Sequence, residues 1–101
     1  MTQHELNIEA ENLLNESHDK FSVLYTKVRH EISDERLKKN FERCHEIWMS
    51  YVYSEVKLIS EFYEGGSAKN MFVCYRWKEL IETRIDDIKT LFNQLNIMNM
   101  V

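Results

Sequence analysis

Apolar residues recur along this chain at steps of three and four, in three long runs. One run holds Leu37, Phe41, Cys44, Trp48, Tyr51, Val52, Val56, Ile59 and Phe62. Its other face carries Lys38, Lys39, Glu42, Arg43, Glu46 and Lys57. That is the period of a helix with one apolar face. A run before it has Leu6, Ala10, Leu13, Leu14, Phe21, Leu24, Tyr25, Val28 and Ile32, interrupted at Ser17 and His18. The run after it is the most regular, with Cys74, Trp77, Ile81, Ile85, Ile88, Leu91 and Leu95 among its members. These patterns predict helices over about residues 4–32, 34–63 and 68–95.

The breaks between runs have their own chemistry. Ser33-Asp34 offers a side-chain acceptor to the free amides of a new helix. Glu64-Gly65-Gly66-Ser67 reads as a stop and a restart: glycine takes the left-handed conformation at low steric cost, and Ser67 is expected to cap the next helix. Short connections make successive helices antiparallel neighbours. The expected fold is an all-α, up-down-up antiparallel bundle of three long helices, one domain over residues 1–101. The second helix is expected at its centre, and its aromatic-rich face leaves dimerisation open.

Composition agrees. The chain has 101 residues, no proline and only two glycines, which suits long helices and not a turn-rich β-sandwich. Its net charge of −4 argues against a nucleic-acid partner, because neutralising phosphates needs a basic face. No run approaches the ~20 apolar residues of a membrane span. The start, Met1-Thr2-Gln3-His4-Glu5, has neither the basic nor the apolar part of a secretion signal. The expectation is a cytoplasmic protein as written, or a periplasmic one if a leader has been removed.

Candidate chemistry is sparse. Glu42 and His45 have the spacing used in di-iron bundles, but that motif is needed twice and occurs once. His45-Glu46 lacks the second histidine, at position 49, of a zinc protease motif. A chain folded back at Gly65-Gly66 brings level those residues whose numbers sum to about 131. Cys44 and Cys74 are then offset by roughly 13 residues, about 20 Å, too far for a disulfide. Both are expected as buried free thiols. No catalytic set, cofactor site or metal site is expected, and Trp48 and Trp77 read most simply as core. The sharper reading is an interface, with Trp48, Tyr51, Tyr53 and Glu55 as candidates.

One pattern goes beyond generic helix: Trp48, Tyr51, Glu55, then Glu64-Gly65-Gly66-Ser67, then Thr83-Arg84-Ile85, preceded by His18 to Tyr25. It resembles the small helical domain of the LprI-type lysozyme inhibitors, a mostly extracytoplasmic bacterial family, over about Glu5 to Leu91. That family carries a cysteine pair across the hairpin, at positions matching Val56 and about Arg76, and this chain has neither. The resemblance implies a non-enzymatic module that binds a cationic protein such as lysozyme. The alternative is a cytoplasmic helical interaction or immunity-type protein, acting as a homodimer or a toxin partner.

Overall fold

The computed structural model describes the backbone of residues 1–100 and the side-chain surroundings of residues 1–96. It has three helices, α1 (Gln3–Glu31), α2 (Glu35–Phe62) and α3 (Lys69–Met100), and no strand among the described residues. The first two lie within a residue or so of expectation. The third runs past Leu95 to Met100, since no residue there breaks a helix; the uncharged tail Asn96–Val101, where fraying is expected from the sequence, is helical as far as Met100, and Val101 lies outside the described residues.

The caps explain the boundaries. The Thr2 hydroxyl accepts from the Glu5 amide at 3.1 Å, opening α1. The Asp34 carboxylate accepts from the amides of Arg36 and Leu37 at 2.8 and 3.1 Å, so Asp34, not Ser33, opens α2. After Tyr63 the chain reverses at Gly65, whose φ of 80° is a left-handed value. The Gly66 amide then donates to the Tyr63 carbonyl at 3.0 Å. Ser67 corrects an expectation. Among the described residues its side chain caps nothing, because α3 starts only at Lys69; instead its carbonyl accepts from Asn7 Nδ2 at 3.2 Å.

The hairpin has the predicted register. Arg76 reaches Glu55 at 3.4 Å, and the Trp77 and Tyr53 rings lie 5.9 Å apart, edge to face. Helices α1 and α3 run parallel: Gln3 bonds to Met71, Ser17 Oγ to Glu82 at 3.5 Å, and Lys27 sits 5.1 Å over the Phe92 ring.

The central helix is α3, not α2. Along α1 the buried positions are Ala10, Leu14, Ser17, Phe21 and Val28; along α3 they include Cys74, Ile81 and Ile88. These recur at about 3.5 residues, the spacing of a coiled-coil seam. Small side chains at Ala10 and Ser17 let the α1 and α3 backbones come close. The backbones of α1 and α2 stay apart over most of their length, held off by rings. Phe21 stacks on Trp48 at 5.2 Å, Tyr25 on Phe41 at 5.0 Å, and His45 lies 4.5 Å from Tyr25. An Arg29–Glu42 ion pair of 2.8 Å closes this side.

The molecule is consequently a slab of 54 × 24 × 15 Å with a radius of gyration of 16.5 Å, against about 13 Å for a compact chain of this length. Its accessible surface is 7169 Å², where a compact monomer of its mass exposes about 6100 Å².

Candidate functional site

Helix α2 is held to α3 near the diglycine turn, where Tyr63 stacks on Phe72 at 4.2 Å. Toward its N-terminal end the space between the two helices opens into a groove of about 660 Å³. On one side stand Leu37, Phe41, Cys44, Ile47, Trp48 and Tyr51 of α2; on the other stand Arg84, Asp87, Ile88, Leu91 and Leu95 of α3. The cause lies in the width of the apolar arc on α2. At about 100° per residue, Phe41, Trp48, Val52 and Ile59 point into the bundle, and Leu37, Cys44, Tyr51 and Leu58 fall on a shoulder beside them. Only Phe41 and Val52 of α2 are buried. Ile47 is 61% exposed and Tyr51 47% exposed, so the shoulder has no cover.

Cys44 therefore departs from expectation. It is an exposed thiol on the shoulder, because α3 covers only part of that arc. Cys74 is buried in the α1–α3 seam as expected. Burial, aided by Glu11, pushes the Cys74 thiol pKa up, which opposes thiolate formation.

The groove meets the ring layer at Trp48, beside which lies His45. Its imidazole lies among Phe21, Tyr25 and Trp48, at 5.4, 4.5 and 5.8 Å between centroids. Burial first, then the Arg84 cation, lowers its pKa, with Glu46 opposing. Burial and the Glu42 carboxylate raise that of Tyr25. Neither His45 Nδ1 nor Arg84 Nε has a hydrogen-bond partner among the described residues, and both are buried atoms. Arg84 also forms no ion pair among the described residues.

The candidate interface residues do not share one surface. Trp48 and Tyr51 line the groove. Tyr53 faces away from it, edge-on to Trp77, since two residues along a helix turn about 200°. Glu55 is bonded to Arg76. Glu42 and His45 diverge, one to Arg29 and the other into the ring layer. Ile47, Leu37 and Arg84 belong to the groove and were not picked out as interface candidates from sequence. The signal for the first two was available, because Leu37, Cys44, Tyr51 and Leu58 are spaced by sevens with Ile47 between. No described helix is long and apolar enough to cross a membrane. No protein-family model, curated protein or solved structure matches the chain.

Proposed function

We propose that the protein is a non-enzymatic helical module that binds protein through the groove between α2 and α3. One observation carries this reading: a strongly amphipathic 28-residue helix buries only two side chains in its own chain. A helix of that pattern is built to be covered on its whole apolar arc. The groove has the form that receives an apolar helical face, completing a four-helix arrangement. Arg84 and Asp87 line the groove and supply polar fixing points within largely apolar walls.

A displayed library of amphipathic helical peptides tests the reading. The immobilised protein is expected to select helices with an i, i+3, i+4, i+7 apolar ridge. Ile47→Asp is expected to abolish their capture while leaving the far-ultraviolet circular dichroism unchanged. Selection of no such helix, or capture indifferent to Ile47→Asp, removes the groove from consideration. The lysozyme target implied by the family resemblance has a separate assay, inhibition of lysozyme at low and high salt. The acidic strip available for it is on α1, where Glu5, Glu9 and Glu16 are exposed on one side and none lines the groove.

A further inference from the structure

Building on that groove reading, we infer that its occupant is α2 of a second copy of this chain, docked antiparallel about a two-fold axis. Three observations converge on this occupant.

The first is period. Leu37, Cys44, Tyr51 and Leu58 repeat at sevens, with Asn40, Ile47, Ser54 and Glu61 between them. That is a heptad seam along almost the whole of α2. All eight of these residues are exposed. Two such seams meet antiparallel when the positions of one set face those of the other, which places Ile47 against Tyr51 and Cys44 against Ser54.

The second is charge. The first turns of α2 carry Arg36, Lys38, Lys39 and Arg43 against Glu35 and Glu42, and are net positive. Its last turns and the following turn carry Glu55, Glu61 and Glu64 against Lys57, and are net negative. Antiparallel docking sets each end against its opposite; parallel docking sets like on like.

The third is area. The chain exposes 7169 Å², roughly 1000 Å² more than a compact monomer of its mass. A standard interface buries about 800 Å² from each partner. The excess is of the size that one such interface removes.

Sedimentation equilibrium of the full chain is the test. The expected mass is twice 12.3 kDa, falling towards 12.3 kDa on dilution. Ile47→Asp and Tyr51→Ser are each expected to weaken association at least about tenfold, with unchanged helical circular dichroism. Ser54→Cys, oxidised, is expected to yield a dimer linked through native Cys44. Thr26→Cys, exposed on α1, is expected not to exceed wild type in linked dimer. A single 12.3 kDa species at millimolar concentration overturns the inference, as does a dimer that both groove variants leave intact. Oxidation of wild type through Cys44 to Cys44 in full yield overturns the antiparallel arrangement. A monomer that still selects helical peptides through Ile47 ends the homotypic occupant and leaves the groove as a binding site for another protein.

Discussion

His45 shows how one residue ties the fold to solution conditions. In an unfolded chain its imidazole takes up a proton near pH 6.5. Folded, it is wedged between Phe21, Tyr25 and Trp48 with Arg84 nearby, and its pKa is lower. Below about pH 6.5 the unfolded state therefore binds more protons than the folded one, and stability falls as pH falls. Urea unfolding of wild type between pH 7.5 and pH 5 is expected to show that loss, and His45→Gln is expected to reduce its pH slope. Equal slopes would mean that His45 is not the group responsible. Gly65 is a second residue whose effect is specific. Its φ of 80° disfavours any side chain, so Gly65→Ala is expected to destabilise by about 1–2 kcal/mol by denaturant titration, although nothing lies within 4 Å of the added carbon. At this scale the sequence was legible where periodicity governs, as at Phe41 and Val52. It misled where nearness along the chain stood in for nearness in space: Tyr51 and Tyr53 are two apart and on opposite sides of the helix.

The helices themselves were legible as elements, because the runs are long and the breaks carry cap residues such as Asp34 and a left-handed glycine. Their ranking was not. Helix α2 has the more obvious two-faced pattern, yet α3 is the hub, since α3 packs against both other helices while the backbones of α1 and α2 scarcely approach each other. A helix touched from two sides needs apolar residues around more of its circumference, which blurs the two-faced pattern that marks a surface helix. Ile81 and Ile88 are almost wholly buried on α3, and no α2 residue but Val52 matches them. Ile81→Ala is accordingly expected to cost about 2–4 kcal/mol in thermal or denaturant unfolding, whereas Val23→Ala, 72% exposed on α1, stays within about 0.5 kcal/mol of wild type. A small loss at Ile81 would argue that the α1–α3 seam is not the stabilising core.

At the scale of the whole molecule, three helices make a slab because only two of the three pairings are close. The ring layer between α1 and α2 holds them apart, and the far side of α2 is left with a groove. Neither feature could be read from the runs alone. A stripe tells which way a side chain points, while the distance between two helices depends on what stands opposite, as at Phe21 and Trp48. The parallel pairing of α1 with α3 has a kinetic consequence. Ser17 meets Glu82 across 65 residues of chain, so the best-buried pairing is also the most distant in sequence. The α2–α3 hairpin closes a short loop and can form early; α1, made first, has to wait until α3 is complete before its own seam exists. During synthesis α1 is thus an orphan, and its apolar edge is open to chaperones for as long as the ribosome takes to make α2 and α3.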